Sequence, residues 1–179
     1  MEVRIRRARP DDAAAMLDVL IPIIAARIYT AFDTPFSLDA ERAFIENLPP
    51  RGVVHVAVSP ASAALVGFQT LDPFAAYTHA FDHVAVIGTF VDLRYRRQGI
   101  ATRLFQETLP VAVQLGFEKL FTFVRADNPA ALETYRRHGF ETVGTARRQA
   151  RVDGRYIDEI IIEKLLVDAA ERSGEGEVT

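Results

Sequence analysis

The sequence predicts a mixed α/β (α+β) domain on a largely antiparallel sheet, with one parallel strand pair joined by a helix. Three observations carry this prediction. Apolar residues switch between a spacing of two and spacings of three and four in the order βααβββαβαββ, which makes seven strands and four helices. Turn and breaker residues separate nearly every run. The 179 residues, 49% hydrophobic and 25% charged, suit one core, because a chain of this size typically buries roughly 70% of its extended surface.

Val3 and Ile5 alternate with Arg4 and Arg6 as a short half-buried strand, and Pro10-Asp11-Asp12 supplies turn and helix-start chemistry after it. Met16, Leu17, Leu20, Ile21, Ile24 and Ile28 then recur at helical spacing, with Pro22 expected to kink or divide the run. Ser37 caps a second helix whose apolar face is Phe44, Ile45 and Leu48, and Pro49-Pro50 stops it. Val53 to Val58 and Leu65 to Leu71, parted by Ser59-Pro60-Ala61-Ser62, read as an antiparallel hairpin. Val84 to Val91 is the fourth strand, after a loop that contains Pro73, Tyr77, His79 and His83.

A polar loop from Asp92 to Gly99 opens a third helix running to Gly116, with Leu104, Phe105, Val111 and Ala112 inward. Pro110 is expected to kink it or to cost hydrogen bonding near Gln106. Leu120 to Val124 is a buried strand. Asn128-Pro129 caps and starts a short fourth helix, which turns Leu132 and Tyr135 inward and ends in the left-handed conformation at Gly139. Phe140 to Thr145 and Tyr156 to Leu165 finish the sheet, turning at Val152-Asp153-Gly154-Arg155. Residues 1–167 thus form the domain, and the Glu- and Gly-rich residues 168–179 are expected to be a disordered tail.

The composition excludes several chemistries. With no cysteine there is no disulfide framework, thiolate zinc site or cysteine nucleophile, and a reducing compartment fits. No apolar run approaches the ~20 residues that span a bilayer, and the start MEVRIRRARPDD lacks an apolar signal core, so a cytoplasmic protein without a membrane partner is expected. The net charge of −3 is unevenly spread: Arg94 to Arg155 holds twelve basic side chains against six acidic ones. A basic segment inside an acidic chain points to a local anionic ligand and away from nucleic acid.

The segment best suited to hold that anion is Arg96-Arg97-Gln98-Gly99-Ile100-Ala101, between a strand and a helix. Backbone amides converging at a helix start, with the helix dipole behind them, can cradle a pyrophosphate. Neither GxxxxGK[ST] nor GxGxxG is present, so a P-loop and a dinucleotide fold are set aside. His79 and His83 stand four apart, but His79-Ala80-Phe81-Asp82-His83 lacks the Glu of HExxH and no metal is expected. No GxSxG serine-hydrolase motif occurs.

Val91-Asp92-Leu93-Arg94-Tyr95-Arg96-Arg97-Gln98-Gly99-Ile100-Ala101 resembles the acetyl-coenzyme A signature of the GNAT superfamily of N-acetyltransferases, with its core pattern [QR]xxGx[GA]. Asn128 to Phe140 resembles the NxxAxxxYxxxGF segment of the same family, one helix and one strand further on. The resemblance covers Val3 to Leu165 and implies a GNAT-like fold in which a splayed parallel strand pair holds acetyl-CoA. It implies that the amides of Arg96 or Arg97, Gln98, Gly99, Ile100 and Ala101, extending to Thr102, bind the pyrophosphate. Phe90 and Val91 would pair with the pantetheine arm through their main chain, and one of their N–H groups could polarise the thioester carbonyl. Asn128 would lie beside the pantetheine or thiol end, besides capping its helix. Tyr135 is implied as general acid to the departing thiolate, or else is a core aromatic on its helix face.

The general base is less legible. Relatives resembling phosphinothricin and amino-acid acetyltransferases carry a Glu on the fourth strand, five residues before Val91, where this chain has Val86. His83 is the first candidate, since a ring of pKa near 6.5 suits proton removal; Asp82, His79 and Asp158 are alternatives. By fold analogy the acceptor site takes Arg27, Tyr29, Phe32 and Asp33 and the loop from Pro73 to His83. GRYIDEIIIEKL weakly resembles the phosphinothricin branch and brings in Asp158 as an amine contact, with a structural strand role as the alternative. The expected reaction is transfer of acetyl to a primary amine of a small molecule. A protein N-terminus or lysine as acceptor is the second expectation, and a non-catalytic acetyl-CoA sensor is the third. Apolar edges on the sixth and seventh strands could support a homodimer.

Overall fold

A computed structural model describes residues 1–166, so the expected tail lies outside the described residues. The strands are β1 (Arg4–Arg7), β2 (Val53–Val58), β3 (Leu65–Pro73), β4 (Val84–Val91), β5 (Lys119–Arg125), β6 (Glu141–Val152) and β7 (Arg155–Leu165). The helices are α1 (Ala13–Ala25), α2 (Leu38–Glu46), α3 (Ile100–Gln114) and α4 (Pro129–Arg137). One seven-stranded sheet runs in the order β1-β2-β3-β4-β5-β7-β6, antiparallel throughout except for the parallel pair β4–β5. This is the mixed architecture that the order of elements predicts.

Strand alternation gives the sheet two apolar faces, each covered by helices. Val53, Leu71, Ala85, Ile87 and Leu120 pack against Phe105 and Ala112 of α3 and Tyr135 of α4. Val54, Val56 and Phe68 point the other way, onto Met16, Leu20 and Ile24 of α1 and Ile45 of α2. On the α3 face a buried His55 ring nitrogen meets Thr108 Oγ1 at 2.9 Å, tying β2 to α3. None of the described helices is long and apolar enough to cross a membrane.

Several local expectations need correction. Pro22 does not divide α1: it falls in the last turn, where its missing N–H costs the helix one internal bond. Ile21 and Ile28 are exposed, Ile21 because it lies off the stripe of Met16, Leu20 and Ile24, Ile28 because the helix has already ended. Pro110 leaves α3 continuous, since Gln106 and Pro110 both face water, which can serve the orphaned carbonyl. On α2, Ile45 is buried as expected and Phe44 is not, while Glu41 is buried in its place. The sixth strand extends to Val152 through a register shift between Ala146 and Ala150, where Arg148 takes a φ of 55°.

Candidate active site

The sheet parts where the site forms. β4 and β5 pair only from Val84 to Val86 and from Lys119 to Phe121, after which β4 stays with β3 and β5 with β7. Two hydrogen bonds bracket the β3–β4 ladder, Phe74 N–H to Val84 O and Asp92 N–H to Val66 O, each 3.0 Å. Pairing alternates in an antiparallel ladder, so Val86, Gly88 and Phe90 spend their main-chain groups on β3. Those of Ile87, Thr89 and Val91 face the gap. Of the two residues expected to offer main chain to a ligand, Val91 is therefore placed to do so and Phe90 is not; Thr89 takes its place.

Beyond β4, Asp92 accepts from Arg94 N–H at 2.8 Å and pairs with the Arg94 guanidinium, closing a tight turn. That pairing holds the Asp92 carboxyl below its usual range. The turn leads into a loop in which Arg97 has a φ of 59° and Gly99 a φ of 80°, a left-handed geometry that aims successive amides at one point. The first bond of α3 runs from Arg103 N–H to Gly99 O, 3.1 Å, so the amides of Ile100, Ala101 and Thr102 have no acceptor in the helix. A Cβ on Gly99 would meet nothing within 4 Å, so no other part of the chain crowds this turn. The loop thus fits a pyrophosphate. Arg97 and Gln98 are exposed beside it, whereas Arg96 stacks over the Tyr29 ring at 3.7 Å and is committed there.

Tyr135 and Asn128 close the far side of the gap. Tyr135, 7% exposed, packs edge-on to Phe105 and Phe140, and its hydroxyl donates to Thr89 Oγ1 at 3.2 Å. Burial pushes this phenol up to about 12, partly offset by hydrogen bonding from Thr89. It stays protonated at neutral pH and can donate. Thr89 Oγ1 also accepts from Gln69 Nε2 at 2.8 Å. Asn128 caps α4 by accepting from Ala131 N–H at 3.2 Å, and its amide donates to Tyr29 O at 3.3 Å, pinning the α1–α2 connection against α4.

A cavity of about 630 Å³ opens from this gap onto the α1–α2 face. Tyr29, Phe32, Phe90, Thr89 and Tyr135 all line it. His83, His79 and Asp82 do not: His83 is exposed at the opposite end of β4, about six strand residues or ~20 Å from Thr89. Asp158 also stays outside, because its carboxylate accepts from Arg148 N–H at 2.7 Å and braces the β6 irregularity. Arg27 pairs with Asp153 and donates to Asp33 O, so this pair of expected contacts holds the chain together away from the cavity. No group of three or more His, Asp or Glu among the described residues could hold a metal ion.

Three acids that the sequence reading passed over line the cavity: Glu41, Asp72 and Glu159. Burial is the first cause that raises the pKa of each. Asp72 sits opposite Val86 in the β3–β4 register, next to the position where the fourth-strand Glu was sought. Local periodicity held the signal for two of them: Glu41 is four residues before buried Ile45, and Asp72 continues the face of Phe68 and Thr70. Arg125 was missed as well. It is 4% exposed, bound through two nitrogens to Asp127 at 2.7 and 2.8 Å, and donates to Thr30 O at 3.1 Å.

The sheet with a parted parallel pair, the amide cradle at α3 and the tyrosine across the gap define an acyl-transfer site. The chain belongs to the acetyltransferase (GNAT) family, whose model matches residues 24–140, and it is an acetyltransferase. It is 30% identical over 114 residues to the L-amino acid N-acetyltransferase of Escherichia coli, covering 63% of this chain and 69% of that protein. The phosphinothricin N-acetyltransferase of Streptomyces coelicolor is 25% identical over 168 residues, 92% of this chain and 97% of that one. Among solved structures, the phosphinothricin acetyltransferase of Sinorhizobium meliloti in complex with acetyl-CoA shares the fold with a TM-score of 0.87 at 20% identity, over 98% of this chain and 95% of that one.

Proposed function

We propose that this protein is an N-acetyltransferase that moves acetyl from acetyl-CoA to a primary amine of a small molecule by direct attack. The observation that carries the reading is one cavity that combines the Tyr135 hydroxyl, the gap-facing main chain of β4 and buried carboxylates. Acetyl-CoA supplies a thioester whose thiol, of pKa ~8.5, is a fair leaving group. The amides from Arg97 through Ala101, with Thr102, hold its pyrophosphate. The main chain of Thr89 and Val91 pairs with the pantetheine arm, and an N–H there polarises the carbonyl. Tyr135 gives a proton to the departing sulfur, and Asn128 keeps α4 and its tyrosine in place beside it.

An amine is mostly protonated at neutral pH, so a base must take one proton before attack. Asp72 and Glu41 are the proposed acceptors, since both line the cavity and their burial raises their affinity for a proton. The aromatic rings and acids gathered in one cavity support a small acceptor over a protein chain. We extend the proposal to a cytoplasmic homodimer through β6, the outermost strand of its edge, where Val143 and neighbouring Tyr156 are exposed; light scattering tests the dimer.

The test is thiol release from acetyl-CoA across amino acids, phosphinothricin-like compounds, polyamines, aminoglycosides and short peptides, with a no-acceptor control. Release that depends on a small amine is expected. Acetyl-CoA binding without release on any acceptor would overturn the reading in favour of a sensor.

A further inference from the structure

The walls of the cavity carry a selectivity that goes beyond the reaction. Phe32, Phe36, Phe44, Phe68, Phe90 and Phe123 line it, and Phe90 stacks on Phe68 at 4.8 Å and Phe32 at 6.1 Å between ring centroids. This is a wide aromatic surface, suited to an apolar body.

The charges in that wall are one-sided. Glu41, Asp72 and Glu159 line the cavity; among the described residues no hydrogen bond or ion pair reaches the carboxylate of Glu41 or Asp72, while Glu159 feels the charge of Arg125. Glu41 is only 6% exposed and lines the cavity without a side-chain partner. The single cation among the described lining residues is Arg125; Asp127 and the Thr30 carbonyl take three of its five N–H donors, its charge is balanced by Asp127, and Glu159 also lies in its field. Arg27 and Arg155 line a smaller cavity of about 220 Å³ that shares only Arg125 with this one.

An amino acid would have to bring its own carboxylate among these acids, where the one cation already has its charge balanced by Asp127. Like charges brought together in a partly desolvated site disfavour a ligand that adds another of the same sign. An ammonium group, by contrast, supplies the partner that Glu41 lacks. We infer that the acceptor is a primary amine on an apolar body that bears no carboxylate. This rests on the acetyltransferase reading above and sets the chain apart from relatives whose names specify amino acids and phosphinothricin.

Matched pairs that differ only in the carboxylate provide the test: 2-phenylethylamine against phenylalanine, and cadaverine against lysine. Calorimetric binding to the full chain with desulfo-CoA present is measured first, then kcat/KM for acetyl transfer. The carboxylate-free member of each pair is expected to bind at least about tenfold more tightly. Glu41→Gln should erase most of that preference, and Glu41→Asp should restore part of it. Equal or tighter binding of the amino acids, or no binding of any amine, overturns the inference. Selective amine binding without turnover upholds it and sinks the catalytic reading instead.

Discussion

The hydroxyl of Tyr135 on α4 donates to Thr89 Oγ1 on β4 across 3.2 Å, so one hydrogen bond spans the gap where the sheet divides. The phenol that would serve the leaving sulfur is held against the strand whose main chain would hold the thioester. Its burial against Phe105 and Phe140 gives it a second role as a core aromatic. The two roles separate on removal of the hydroxyl alone.

Tyr135→Phe keeps the ring and removes the proton donor. Acetyl transfer should fall about 100-fold while CoA affinity stays within about twofold. Because the phenol sits at about 12, the loss should be constant between pH 6 and 9. Steady-state rates and calorimetry together decide it, and unchanged turnover would remove Tyr135 from the chemistry.

Gly99→Leu puts a bulky side chain on the loop that presents the α3 amides. The fold itself has room, so the cost in stability is backbone strain of about 1–2 kcal/mol at a φ of 80°. CoA binding should weaken by about tenfold or more, out of proportion to that strain. Titration of CoA at a temperature well below the melting transition checks it.

Glu41→Gln should stabilise the protein at neutral pH. Burial raises the Glu41 pKa above its ordinary 4.5, so its contribution to stability is full below that value and is lost as pH rises through the folded pKa. At pH 7 the ionised group is a net cost, and its removal should add about 1 kcal/mol, or ~2–4 °C in Tm. The gain should shrink at pH 4. Melting curves at the two pH values test both statements.

His55 carries the opposite sign. Burial first, and Arg7 next, lower its pKa below 6.5. The stability it contributes is therefore present above 6.5 and is lost as pH falls through the lowered value. Denaturant midpoints should drop between pH 6.5 and 5, and His55→Gln should flatten that slope.

Local chemistry was legible in the sequence. Gly99, Asn128 and Tyr135 each lie within a few residues of their own helix end, so short motifs and cap rules locate them. The seven strands and their turns followed from periodicity for the same reason. The acids of the cavity come from α2, β3 and β7, and each looks ordinary in its own element. Only the sheet order brings them to one cavity. His83 and Asp158 show the converse: residues with suitable chemistry can be directed elsewhere by strand direction and by a bulge. Gap-facing Thr89 could have been separated from Phe90 by strand parity, but parity needs the register with β3, which one chain of letters does not print.

A sheet that parts in its middle has an edge inside it. From Ile87 to Val91 one side of β4 is an open template, of the kind that elsewhere recruits strands from neighbouring molecules and leads to aggregation. Here the template is about five residues deep and Tyr135 bars its floor, so an extended polypeptide finds little to join. A slender amide-bearing arm fits where a strand does not. The acetyl donor would then act as the sheet's missing strand.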